Sequence, residues 1–345
     1  MHIIEPLNDP RWERLVEQHP SAGAFHSAGW LRALSETYGY EAVAVTSSAP
    51  GTELRNALPF CRIKSWITGK RLVSLPFSDH CQPLATDPAE TDELIGFAIE
   101  NLRQDNERSV ELRPVQPTDR PPLDDAHESS RYYIHWLDLT PPLSTIFSGL
   151  HKDSIQRKIR RADKEQLTYQ VGGSAELLHQ FYGLLMRTRR RHQLPPQPIA
   201  WFENLLRSLG ESISIRVAYK EEMPVAAIIT LRHRNSMIYK YGCSDERYHP
   251  LGGMPFLFWK LIEEAHASSI PVLDFGRSDL DNPGLIRFKD QWGTRRTELK
   301  YYRIPPSANE HKTYGLFSKM AKSIFARLPD RVLQIAGNQV YRHIG

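Results

Sequence analysis

Cysteine is scarce in this 345-residue chain: Cys61, Cys81 and Cys243 stand far apart, odd in number and without a C-x-x-C spacing. That pattern argues against a disulfide framework and against a zinc knuckle. The 14 histidines never fall into an H-x-x-x-H pair, so no metal site is expected. Long apolar runs are missing too, with no stretch near the ~18 residues that span a bilayer. The opening stretch MHIIEPLNDPRWERLVEQ has no basic segment followed by an apolar one, and reads as lacking a signal peptide. These absences suit a protein of the reducing cytoplasm, with peripheral contact at the inner membrane still open to it. Charge of one sign is not in large excess: the net charge of +4 permits an anionic partner without requiring one.

Three familiar signatures also dissolve on inspection. Asp274-Phe275-Gly276 spells a kinase magnesium motif, but His233-Arg234-Asn235 is not a catalytic loop and no Gly-rich loop precedes it. Gly69-Lys70 lacks the glycine that begins a phosphate loop. His80 beside Cys81 suggests a thiol nucleophile, yet sequence neighbours seldom align as base and nucleophile.

What is present is an alternation of strands and helices. The first part gives helices over Asp9 to Gln18, Ser27 to Tyr38 and Thr91 to Gln104. It gives strands over Glu41 to Ser47, Asn56 to Lys64, Arg71 to Leu75 and Ser109 to Arg113. Pro114 to Ser130, rich in Pro and Asp, reads as a long loop or boundary. After a strand from Tyr132 to Leu139, the second part repeats the theme. Helices are expected at Ser144 to Leu150, Lys152 to Gln166, Ala175 to Arg190, Ile199 to Gly210 and Met254 to Ser268. Strands are expected at Leu167 to Gly172, Ile213 to Tyr219, Val225 to Arg232, Ser236 to Gly242, Val272 to Phe275 and Glu298 to Ile304. The fold class is α/β with mixed sheets, in two lobes over residues 1–140 and 141–305 and a helical tail over 306–345. The tail's apolar face, Leu316, Phe317, Met320, Ile324 and Phe325, suits docking on the protein or on an anionic membrane.

Four regions carry chemistry. In RLVSLPFSDHCQP a strand runs into Ser78, Asp79 and His80, polar groups at a strand end where α/β proteins bind ligands; a capped turn at Asp79 is the plain alternative. The helix from Lys152 carries Lys158, Arg161 and four more cations, extended by Arg187 and Arg189 to Arg191, either a solvated face or a surface for phosphates. In MIYKYGCSDERYHPLGGM, Gly252 and Gly253 open a helix whose N–H groups suit phosphate, though glycines also make turns. The segment DFGRSDLDNPGLIRFKDQWG mixes Arg277, Phe288, Lys289 and Trp292 with turn residues, as binding loops do.

In order, these motifs (PF-SDH, K-x-x-x-x-R-K-I-R-R-A, RRRHQLPPQP, YGCSD and DFGRS with GLIRFKDQWG) resemble the FemAB-like acyltransferases of the GNAT-fold superfamily. The nearest subgroup is the one associated with exosortase and exopolysaccharide clusters. The resemblance implies two GNAT-like lobes packed side by side, with the site in a cleft between them. It implies transfer of an acyl or aminoacyl group to an amine of a cell-envelope, peptidoglycan or exopolysaccharide precursor. The acceptor would be a small molecule or lipid-linked. The donor would be acyl-CoA or aminoacyl-tRNA, with no tightly bound cofactor, tRNA as an optional partner and no DNA. Lys289, Tyr241 and Asp79 would be catalytic. Phe288, Arg277, His80, Ser78 and Trp292 would bind substrate, and Gly252, Gly253, Lys158, Arg161 and Arg190 the donor's phosphates. Two departures stand out: no long helical arm interrupts the second lobe, and the coenzyme A signature Q/R-x-x-G-x-G/A is not cleanly met by Tyr248 to Gly253.

On that reading no covalent enzyme intermediate forms. Lys289 or a backbone N–H stabilises the oxyanion, and Tyr241 donates a proton or hydrogen bond. Asp79 orients the acceptor amine, and Lys289→Ala costs turnover far more than folding. The alternatives are a non-catalytic module for RNA or an anionic polymer, and an acetyl-CoA-dependent amino-sugar N-acetyltransferase.

Overall fold

Local signals decide where most elements begin and end. Helix α2 (Ala28–Tyr38) starts where the Ser27 side chain accepts from the Trp30 N–H, and stops at Gly39, whose φ of 72° is left-handed. Its Trp30, Leu31 and Leu34 are wholly buried. The computed structural model describes residues 1–104, 109–114, 126–304 and 329–344. They divide into two compact units. The first comprises Met1–Arg131, Glu298–Lys319 and Ile335–Gly345, and the second Tyr132–Thr297 and Met320–Gln334.

The first unit holds strands β1 (His2–Ile4), β2 (Glu41–Thr46), β3 (Leu58–Ser65), β4 (Gly69–Val73) and β5 (Ser109–Leu112), with α1 (Arg11–Gln18), α2 and α3 (Pro88–Gln104). The late strand β12 (Arg295–Ile304) pairs antiparallel with β5 through Tyr302↔Leu112. Within the unit the strand order is β1-β2-β3-β4-β5-β12, antiparallel except for the parallel β4–β5 pair. A core of Val43, Phe60, Leu94, Ala98 and Val110 joins this sheet to α3.

The second unit holds β6 (His127–Asp138) from Tyr132 onward, α4 (Leu143–Gly149), a π-helical turn Lys152–Gln156 leading into α5 (Arg157–Lys164), and β7 (Thr168–Gly172). Then come α6 (Ala175–Arg191), α7 (Ile199–Leu209), β8 (Ile213–Lys220), β9 (Met223–His233), β10 (Ser236–Ser244), α8 (Gly253–Ala267), β11 (Val272–Asp279) and α9 (Pro283–Asp290). The last described helix is α10 (Asp330–Ile344). The strand order is β6-β11-β10-β9-β8-β7, again antiparallel except for one parallel pair, β10–β11. Ile159, Ala162, Ile228, Phe258, Leu261 and Trp292 belong to its core. Both units thus follow one plan: four antiparallel strands, a crossover carrying a helix, a parallel fifth strand and an antiparallel sixth. No repeat in the sequence announces it.

The structure changes several sequence expectations. Strand β11 runs four residues past Phe275, so Arg277 is a strand residue paired with Ile134 and not part of a loop. Phe288 and Lys289 lie on helix α9, begun by the Asn282 side chain accepting from the Leu285 N–H, with Pro283 in the first turn. Strand β6 starts at His127, inside the stretch expected to be loop, and the first unit closes at Arg131, ahead of residue 140. Residues Leu316 to Phe325 of the expected tail lie outside the described residues, and only α10 of that tail is described.

Candidate active site

Strands β10 and β11 pair through only Ser236↔Val272, Met237↔Leu273 and Ile238↔Asp274, and then part. Each carries an irregularity at that point: β10 shifts register against β9 between Tyr239 and Tyr241, and β11 shifts against β6 between Asp274 and Arg277. The kink in β11 is built from side chains. The Asp274 carboxylate accepts from the Gly276 N–H at 2.6 Å, and Gly276 takes a φ of 70°. Lys289 then reaches back from α9, its Nζ donating to the Gly276 and Arg277 carbonyls at 2.8 Å each. The residue is only 2% exposed. The Lys289 ammonium thus engages two backbone carbonyls of the kink.

Tyr241 stands at the parting of the strands. Its hydroxyl oxygen accepts from the Trp201 indole N–H at 2.9 Å, its ring meets Phe202 edge-on, and the Lys240 ammonium lies 5.6 Å above the ring. A Cβ at Gly242 would fall 2.1 Å from the Tyr239 hydroxyl, so a side chain there would displace the Tyr239 ring. Phe288 and Trp292 do not face this opening as a pair of ligands; both join the aromatic cluster around Phe258 and Phe275. Arg277 stacks over Tyr132 at 4.4 Å. Beside Lys289, wholly buried His135 lies 3.3 Å from Asp290 Oδ1. Burial, and then the Lys289 cation, push its pKa down to about 4.

After β10 the chain makes a 3₁₀ turn, Glu246–Leu251, that leads into α8. Gly252 is left-handed at 82°, and a Cβ there would fall 2.4 Å from the Lys158 carbonyl oxygen. Gly253 packs in the same way on Ala226 and Val225. Gly252 is thus demanded by the close approach of α5, Gly253 sits tightly on β9, and Pro255 removes one N–H from the first turn of α8. Around this turn cations gather. Arg187 and Arg247 both bridge Asp245, whose carboxyl the Arg247 hydrogen bonds hold near a pKa of about 2. Arg191 pairs with Glu246 and touches His249. Lys158 is brought to the turn, while Arg161 is engaged by Glu165 and Arg190 by Asp330. Sequence reading named Lys158, Arg161, Arg190 and Arg191 for a phosphate surface and gave no role to Arg247 and His249, which the folded turn gathers beside them.

In the first unit the segment after β4 is the topological counterpart of that turn. Leu75 and Phe77 take left-handed φ values of 52° and 60°, unusual for residues with a Cβ. The Ser78 hydroxyl donates to the Leu75 carbonyl at 2.6 Å, and so does the Arg113 guanidinium at 3.1 Å. Arg113 also pairs with buried Glu111 and lies over the Tyr301 ring, whose hydroxyl donates to the Asp79 carbonyl at 2.6 Å. Burial pushes the Glu111 carboxyl up, but Arg113 and Arg303 outweigh it and hold the pKa at about 2. His80, half-buried, meets Phe25 edge-on. Arg113, Glu111 and Tyr301, which fix this turn from beneath, were not legible as site residues.

The Cys81 thiol lies 3.5 Å from His26 Nε2, but the pair is not a nucleophile and base. His26 Nδ1 accepts from the Gly23 N–H, so Nε2 carries the proton and donates it to the Gln82 carbonyl. Burial pushes the thiol up to about 12.

A family model described as acetyltransferase (GNAT) domain matches residues 150–290. Those residues form a GNAT acetyltransferase domain. The match covers the parting strands, the Gly252–Gly253 turn and Lys289, and it supports an acyltransferase. No curated protein sequence matches the chain. Solved structures support the fold along most of its length. FemX is similar with a TM-score of 0.68 at 13% identity, covering 92% of this chain and 99% of that one. L-PGS from Bacillus licheniformis gives 0.59 at 14%, covering 94% and 98%. A tandem GNAT protein from the clavulanic acid biosynthesis pathway gives 0.54 at 12%, covering 87% and 97%. The fold is therefore shared with FemX and with a tandem GNAT protein.

Proposed function

We propose that this GNAT-type acyltransferase moves an acyl group from acyl-CoA directly onto an amine of a small or lipid-linked cell-envelope precursor. The observation that supports it most is the parting of parallel strands β10 and β11 beside Tyr241, with the Gly252 turn and its cations at the head of α8. A narrow opening between two strands suits an extended thioester arm, and edge amides left by a departing strand suit a carbonyl oxygen. The amine nitrogen attacks the thioester carbon, the oxyanion forms against main-chain N–H groups of β10, and the C–S bond breaks. Tyr241 gives a proton to the leaving thiolate, and the amine's extra proton passes to solvent. Lys158, Arg191 and Arg247 serve the donor's phosphates. Lys289 keeps the β11 kink in place, so that the opening holds its width. In the first unit, Asp79 and Ser78 are assigned to acceptor recognition on the strength of the family resemblance and the anchored turn that carries them.

Envelope chemistry is supported by the company of the fold, which includes a domain of a putative lysylphosphatidylglycerol synthetase from Agrobacterium fabrum. Thermal-shift measurements with coenzyme A, acyl-CoAs and charged tRNA test the donor, since a ligand of the native state raises its melting point. Stabilisation by coenzyme A, and an acyl-transfer rate cut about a hundredfold in Tyr241→Phe, are expected. Stabilisation by charged tRNA alone would replace the thioester donor, and an unchanged Tyr241→Phe rate would remove the proton assignment.

A further inference from the structure

The hairpin joining β3 to β4 exposes what water disfavours. Trp66 is 86% exposed and Ile67 55%, side by side at the tip. Tryptophan is seldom left so bare on a soluble surface. The tip is also held firmly. The Ser65 hydroxyl accepts from the Ile67 and Thr68 N–H groups at 3.1 and 3.0 Å. Thr68 Oγ1 and the Arg71 guanidinium both donate to the His343 carbonyl of α10, and the Trp66 ring meets the His343 ring edge-on at 5.7 Å. The exposed pair is thus presented by a braced turn. Lys64, Lys70 and Arg342 are exposed beside it in the hairpin and in α10, and Arg62 and Lys64 pair with Glu41.

We propose that the Trp66–Ile67 tip docks the protein on an anionic bilayer, the indole and the isoleucine entering the headgroup region while Lys64, Lys70 and Arg342 face lipid phosphates. A protruding tip two side chains wide offers little buried area to a folded partner, whereas a fluid interface closes around it. Indole favours the zone between headgroups and acyl chains, and neighbouring cations add attraction to an anionic leaflet. Among the described residues no helix is long and apolar enough to cross a membrane, so this contact is peripheral. The docking is independent of the donor assignment.

Co-sedimentation of the full chain with phosphatidylcholine vesicles, with and without about 30% phosphatidylglycerol, tests it. The wild type should partition onto the anionic vesicles. Trp66→Ser/Ile67→Ser should lower that partition coefficient about tenfold, and Lys64→Glu/Lys70→Glu should abolish the preference for phosphatidylglycerol. All substituted side chains are exposed, so melting curves should match the wild type and separate lost docking from lost folding. A wild type that ignores both vesicles, or a Trp66→Ser/Ile67→Ser variant that binds like wild type, overturns the proposal.

Discussion

Replacing Lys289 by Met removes the ammonium that closes the β11 kink. Two charge-assisted hydrogen bonds to buried carbonyls disappear, each worth about 1.5–3 kcal/mol. Methionine keeps most of the side-chain volume and relieves the cost of holding a cation in a site that is 2% exposed, which offsets part of the loss. A net destabilisation of roughly 2–4 kcal/mol is left, with the Gly276 and Arg277 carbonyls deprived of this donor. For a unit of this size, 1 kcal/mol moves the melting temperature by about 2–4 °C, so a drop of roughly 5–15 °C is expected by calorimetry. Turnover measured well below the new midpoint should fall as well, because the opening beside Tyr241 loses its support. The reasoning fails if the melting temperature stays within about 1 °C while turnover collapses. That result would return Lys289 to the reacting centre, the role its place in the FemAB-like motif implies.

Four further outcomes follow from particular contacts. Glu111, held at a pKa of about 2 against 4.5, contributes stability that is complete above pH 4.5 and is lost as pH falls toward 2. Denaturant titrations should show this acid limb, about 3 kcal/mol at most, flattened in Glu111→Gln. His135 works in the same sense at higher pH: with its pKa lowered from 6.5 to about 4, the unfolded chain binds its proton first. Stability should therefore decline from pH 6.5 toward 4 in the wild type and more gently in His135→Asn. Gly252→Ala meets both a φ of 82° and the Lys158 carbonyl, and should cost about 2–3 kcal/mol in chemical denaturation. Cys81→Ala should keep acyl transfer within about twofold of wild type, and a hundredfold loss would refute the tautomer assigned to His26.

Most elements were legible because their signals are local. Ser27 and Gly39 bracket α2, and alternating or continuous apolar runs mark β2, β3, β8 and β9. Helix α9 was missed although Asn282-Pro283 is a good helix start, since Gly284 after it reads equally well as a turn. The end of β11 was missed because Arg277-Ser278-Asp279 is polar. Its place in the sheet depends on Arg277 finding the Tyr132 ring and on Ser278 being buried by the fold. Lys289 was readable as special but not as structural. Its carbonyl partners lie 13 and 12 residues away and become acceptors only when Gly276 turns left-handed. The Glu111–Arg113–Arg303 cluster needs β12 beside β5, a pairing across most of the chain that no window of sequence contains.

The shared plan of the two units explains why site residues fall where they do. In each, the fourth strand leaves the antiparallel ladder, and the fifth returns beside it in parallel after a helical crossover. A parallel return cannot be made by a tight turn, so the segment after the fourth strand must swing out and be fastened by side chains. In the second unit Asp245 caps that segment and Gly252 lets α5 close on it. In the first, Arg113 and Tyr301 tie down Leu75 and Asp79. Fastening of this kind calls for Arg, Asp and left-handed backbone, which are also what a sequence reader takes for binding chemistry. Structural and catalytic duties therefore overlap at these two turns. Substitutions there need a stability readout beside each rate, or a loosened crossover will be counted as a lost catalyst.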